Sequence, residues 1–149
     1  DVARAQGKKI HIPSGAIMGL DNLKVGCISR IDSVLLRTTK SPESLGMQVS
    51  HRTLAFRGKA NECIKQFPKN INVSVALSLA VHHDVDVELW ADPDVDRNIH
   101  DIFVSGEFGE ASIRVVNHPS PDNPATSYLA ALSVLSLLKN LDSPLVIGS

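Results

Sequence analysis

The sequence predicts an α+β domain, a mixed and largely antiparallel sheet with helices packed on one face. Three observations lead there. Segments 72–83 and 125–141 are apolar and almost free of formal charge, the mark of helices packed closely against neighbours. Three later stretches, "DVDVELW", "NIHDIFVS" and "ASIRVVN", read as strands, the first alternating cleanly with period two, and only short connections separate them. With 149 residues there is room for one real core, and two domains are not expected to fit.

In chain order, "DVARAQGKK" reads as the last turns of a helix closed by Gly7 at the C′ position, with lysines suited to the negative helix end. Lys9–Ile12 then reads as a short strand that Pro13 stops ahead of a Ser14-Gly15-Ala16 turn. A helix tail is an odd beginning for a domain, so this element is expected to belong with sequence upstream. After a short helix over Leu20–Val25, the β-branched "RIDSVLLRTTK" reads as a strand ending at Ser41-Pro42. A loop over 41–50 leads to a further strand in Arg52–Gly58. Ala60, Cys63, Ile64 and Phe67 recur at helical spacing until Pro68. Small residues suit Asn72–His83 to a closely packed helix. Val85, Val87 and Leu89 face one way and Asp86 and Glu88 the other, as in a half-buried strand. That strand is expected to form an antiparallel meander with 98–105 and 111–117. In "HPSPDNPATS", Asn123 is expected to cap and Pro124 to open the closing helix, Ala125–Leu141.

The run "YLAALSVLSLL" is too short for a membrane span, which needs about twenty residues, and reads as a buried helix. Its apolar residues cover more than one stripe, so a second subunit is expected to cover the surplus. A net charge of −1 gives no case for a nucleic-acid partner or an anionic membrane surface. Two cysteines, Cys27 and Cys63, without C-x-x-C or a secretory leader pattern, fit a reducing cytoplasmic setting. His82 and His83 are adjacent and diverge by about 100° on a helix, so they cannot chelate one ion. No Cys/His cluster compensates, and no metal site is expected. Gly15 and Gly19 of "SGAIMG" have the wrong spacing for a dinucleotide fingerprint, and "PSGA" is no nucleophile elbow. His100 remains. It shares a strand face with Asn98, Ile102 and Val104. From the residues alone, an imidazole there reads as packed and satisfied by a carboxylate or carbonyl.

Four segments taken in order, "IHIPSGAIMGLDNLK", "FPKNINVSVALSLA", "ADPDVDRNIHDIFVSGEFG" and "NHPSPDNPATSYLAALSVLSLL", resemble the C-terminal half of the L-aspartate dehydrogenase family. These are NAD(P)-dependent enzymes that oxidise L-aspartate to iminoaspartate, and the resemblance runs over nearly the whole chain. It implies an N-terminal Rossmann domain whose last strand and other remnants would be residues 1–15. The α+β part, 16–149, would supply the substrate pocket and the subunit contacts of a homo-oligomer, most simply a dimer. NAD or NADP is the implied cofactor. The product would be hydrolysed to oxaloacetate and ammonia or would feed NAD biosynthesis.

Residue by residue, the resemblance matches His100 in "DRNIH" to the family's proposed acid/base group, and apolar neighbours would keep that imidazole near neutral. It matches Ala16 in "PSGA" and Asn72 in "NINV" to positions that contact the dinucleotide. Thr38, Thr39 and Lys40 match a Thr-Thr-basic stretch, candidates for holding a substrate carboxylate. The residues alone leave other readings open: a tight turn for Ala16, a helix N-cap for Asn72, a surface strand end for Thr38 to Lys40. Two rival functions also stand. One is a related two-domain dehydrogenase or reductase acting on homoserine or dihydrodipicolinate, although His82-His83 lacks the lysine that dihydrodipicolinate reductases pair with such histidines. The other is an inert substrate-binding and assembly module.

Overall fold

The computed structural model describes residues 1–68, 72–123, 126–145 and 147. Segments rich in β-branched and large apolar residues build five strands: β1 (Ile31–Lys40), β2 (Thr53–Lys59), β3 (Asp86–Ala91), β4 (Ile99–Gly106) and β5 (Gly109–Val116). They form one sheet in the order β2-β3-β1-β4-β5, and every pairing is antiparallel except that of β1 with β3. The sheet is therefore mixed and largely antiparallel, as the sequence predicts.

The expected meander is only half present. β4 and β5 form a hairpin with Gly106 opposite Gly109, but β1 lies between β3 and β4. A central place suits β1, whose Val34 and Leu36 are almost wholly buried. Its parallel pairing with β3 requires a crossover. β2, α2 (Ala60–Gln66) and α3 (Asn72–Val81) supply it.

Alternation sends Val34 and Leu36 of β1, Val87 and Leu89 of β3, and Ile102 and Val104 of β4 to one face. Cys63 of α2, Leu77 and Val81 of α3, and Ile17 and Leu23 from the preceding segment close over them. Burying side chains such as Leu36, Leu77, Leu89 and Ile102 contributes about 2 kcal/mol each. On the opposite face, Asp86 is exposed as expected and Glu88 is not. Glu88 Oε2 accepts hydrogen bonds from Arg37 Nε at 2.7 Å and Trp90 Nε1 at 3.1 Å, and Oε1 accepts one from Arg57 Nη2 at 2.9 Å. Burial alone would raise its pKa; Arg37, Trp90 and Arg57 outweigh that and hold the carboxyl below its usual range.

At the start of the chain, α1 (Val2–Ala5) ends as read. Gly7 has φ +62°, its N–H donates to Arg4 O, and Lys8 N–H donates to Ala3 O, the paired bonds of a Schellman cap. Lys9–Ile12 is not a strand. It pairs with no described strand, and Ile10 and Ile12 are exposed; alternation without a partner makes no ladder. The short helix near residue 20 is a 3-10 helix, Asn22–Cys27, and the loop after β1 contains another, Pro42–Leu45.

The closing helix differs in two ways. α4 spans Tyr128–Leu141 with Ser127 at the N-cap position, whereas Asn123 uses its carbonyl to hold Thr126. Pro124 and Ala125 lie outside the described residues. Nor is α4 buried: Ser133 is covered, but Leu135, Leu138 and Leu141 are each 56% exposed. The apolar face of the sheet is already closed by α2 and α3, which leaves most of α4's circumference without cover in one chain. No described helix is long and apolar enough to cross a membrane.

Candidate active site

The pleat of β1 puts Thr38 and Lys40 on the same face as Val34 and Leu36. Register then sets Thr38 beside His100, and His100 beside Val115. The imidazole is 5% exposed and the threonine 3%. Thr38 Oγ1 and His100 Nδ1 lie 2.9 Å apart. Burial, and secondarily the positive charge of Lys40, brings the pKa of His100 from 6.5 down to about 4, so the ring is uncharged at neutral pH. Lys40 is itself half-buried, and desolvation lowers its pKa. No described residue bonds His100 Nε2.

Two residues beyond Val115, Asn117 ties three segments together. Its backbone N–H donates to Asn98 O and its Nδ2 to Ala16 O, both at 2.9 Å, while Oδ1 accepts from Ser127 Oγ at 2.6 Å. The turn before Ala16 is pinned a second time, because Gly15 N–H donates to Ser133 Oγ of α4 at 3.0 Å. Gly15 sits at φ +66°, a conformation open to glycine without strain. Through Asn117, the Ala16 turn and the start of α4 are fastened to the sheet face that carries His100.

Thr38, Lys40 and His100 thus come together, and Ala16 joins them by way of Asn117. Thr39 does not: the period of two turns its side chain to the opposite face, in register with Trp90 and Ile99. Asn72 is exposed in the first described turn of α3 and is helical, not an N-cap; no described bond links it to His100. His82 and His83 follow the end of α3, with His82 in the left-handed region at φ 49°, and among the described residues no group of three metal-ligating side chains gathers. Sequence reasoning missed Asn117. A signal was available, because Ile113, Val115 and Asn117 form one period-two series, and an amide buried on such a face needs partners.

An uncharged imidazole with one nitrogen bonded by no described residue, beside a half-buried ammonium, can exchange a proton with an anion that the ammonium holds. Residues 21–141 match the family model described as aspartate dehydrogenase, C-terminal. The chain is 97% identical to an L-aspartate dehydrogenase of Methanospirillum hungatei JF-1, over 100% of this chain and 59% of that protein. It is 48% identical to an L-aspartate dehydrogenase of Methanothermobacter thermautotrophicus, over 100% of this chain and 58% of that protein. The crystal structure of aspartate dehydrogenase from Thermotoga maritima is similar with a TM-score of 0.81 and 34% identity, covering 95% of this chain and 57% of that one. The chain spans about three fifths of the length of these relatives. With the matched region running from the first 3-10 helix to the end of α4, the chain belongs to the aspartate dehydrogenase family, in its C-terminal part.

Proposed function

We propose that this chain is the substrate-binding and assembly part, residues 16–149, of a cytoplasmic NAD(P)-dependent L-aspartate dehydrogenase, with 1–15 belonging to a dinucleotide-binding domain. The observation that carries the reading is His100, buried, bonded at Nδ1 by Thr38 and kept uncharged beside Lys40, in a chain of this family. His100 exchanges a proton at Nε2 with the substrate's amino group, or with the water that later hydrolyses iminoaspartate. Lys40 holds a substrate carboxylate; Thr38 has its hydroxyl engaged by Nδ1, and Thr39 faces away.

The residues present fit the nicotinamide end of the cofactor. Ala16 offers a small side chain on a turn held by Asn117 and Ser133, and an uncharged imidazole does not repel the cationic ring of the oxidised form. When bound, NAD or NADP would supply the hydride acceptor for the substrate's Cα. Asn72 serves as an outer contact for the dinucleotide. The exposed apolar face of α4 is covered by a second subunit, which makes the enzyme a homodimer or larger. Iminoaspartate then goes to oxaloacetate and ammonia or toward NAD biosynthesis.

The test is His100→Ala in the full-length enzyme. Acid/base groups contribute about 10²–10⁴ in rate, so kcat should fall by about a hundredfold or more while the Kd for NAD stays close to wild type. Wild-type turnover of aspartate by the variant refutes the assignment.

A further inference from the structure

The Thr38 hydroxyl is buried, and among the described residues its hydrogen-bond partner is His100 Nδ1, at 2.9 Å. The contact admits two arrangements, since a threonine hydroxyl donates one hydrogen and accepts through lone pairs, while a neutral imidazole has one N–H and one bare nitrogen. If Nδ1 carried the hydrogen and donated to Oγ1, the hydroxyl hydrogen would be buried facing no described acceptor, a costly arrangement for a buried donor. If the hydroxyl donates to a bare Nδ1, both groups are satisfied. The ring hydrogen then sits on Nε2, the nitrogen that no described residue bonds.

We propose that Thr38 is a positioning residue that fixes the tautomer of His100, donating its hydroxyl to Nδ1 so that the imidazole presents Nε2–H to the pocket. The proposal rests on the reading of His100 as the proton-exchanging group and adds the direction from which it starts. The resting ring meets an anionic substrate as a hydrogen-bond donor. To accept a proton at Nε2, it must first hold its hydrogen on Nδ1, which obliges the same hydroxyl to turn and offer a lone pair, the costlier of the two arrangements. Thr38 is therefore assigned to the histidine and not to the substrate carboxylate.

The test is the ¹⁵N spectrum of the imidazole nitrogens in this chain at pH 7, where a protonated and a bare ring nitrogen resonate far apart. The expected result is a bare Nδ1 and a protonated Nε2. Thr38→Val keeps the shape and removes the donor, and it should yield a mixture of tautomers or the Nδ1–H form; Thr38→Ser should restore the wild-type pattern. A purely structural threonine would leave the tautomer unmoved in Thr38→Val. That outcome overturns the proposal, and so does an Nδ1–H tautomer in the wild-type chain, which needs no variant. The spectrum is read without substrate or cofactor, so it can fail while aspartate oxidation through His100 stands, and it can hold if aspartate is not the substrate.

Discussion

Replacing Asn117 by alanine removes a hub and leaves its partners in place. Two side-chain bonds go, Nδ2 to Ala16 O and Ser127 Oγ to Oδ1. A neutral hydrogen bond contributes a net of about 1 kcal/mol, and an orphaned buried group costs about 1–3 kcal/mol unless water reaches it. Asn117 and Ser127 are only 4% and 8% exposed, whereas Ala16 is half-buried, so water repairs one side better than the other. We expect Asn117→Ala to cost about 2–4 kcal/mol in all. Asn117→Asp sharpens the reasoning. At pH 7 it retains an acceptor for Ser127 but sets a carboxylate oxygen against the Ala16 carbonyl, so it should be at least as destabilised as the alanine variant. In acid, a protonated carboxyl can donate to that carbonyl, and the gap to the alanine variant should reverse. Urea unfolding followed by circular dichroism and by Trp90 fluorescence measures both. If Asn117→Ala lies within about 0.5 kcal/mol of wild type, the loss expected of a surface change, the hub has no energetic weight and the argument fails.

Two further outcomes follow from the same geometry. The folded-state pKa of His100 lies below its ordinary value, so between pH 6.5 and about 4 the unfolded chain binds the proton that the folded chain refuses. This contribution is fully present above 6.5 and lost as pH falls through that window, and its size is about 3 kcal/mol. His100→Gln should lose correspondingly less stability over the same range, and parallel pH profiles for the two proteins would contradict the burial argument. On assembly, Leu135→Asp or Leu138→Asp places a charge in the apolar face of α4 and should shift sedimentation equilibrium at micromolar concentration toward monomer or prevent folding. A wild-type chain that sediments as a well-folded monomer shows that this face needs no second subunit.

Local pattern carried the strands and helices well. "RIDSVLLRTTK" and "ASIRVVN" form the strands β1 and β5 that the sequence predicts there, and Gly7 closes α1 with the cap its position implies. Periodicity cannot say which strand lies beside which. β1 separates β3 from β4 through partners far away in the chain, and no local signal records that choice. The same limit explains Lys9–Ile12, which alternates but pairs with no described strand, and Glu88, which looks solvated until Arg37 and Arg57 arrive from the strands on either side to join Trp90 of its own strand. At the site, the period of two already separates Thr39 from Thr38 and Lys40. What it could not supply was the bond between Thr38 and His100, which are 62 residues apart, or the join of Ala16 to Asn117 across 101.

The central place of β1 also bears on how the chain becomes folded. Synthesis through residue 91 completes β1, β2 and β3, yet β1 then has only one of its two neighbours. Until β4 emerges, its far side is an open row of backbone donors and acceptors flanked by Val34 and Leu36, the kind of edge onto which another nascent chain can add a strand. Pairings of such long sequence separation also form slowly, while the β4–β5 hairpin closes quickly on its own. Expression at low temperature or with chaperones that shield extended apolar segments should therefore raise the yield of soluble protein, and a chain cut after β3 should aggregate.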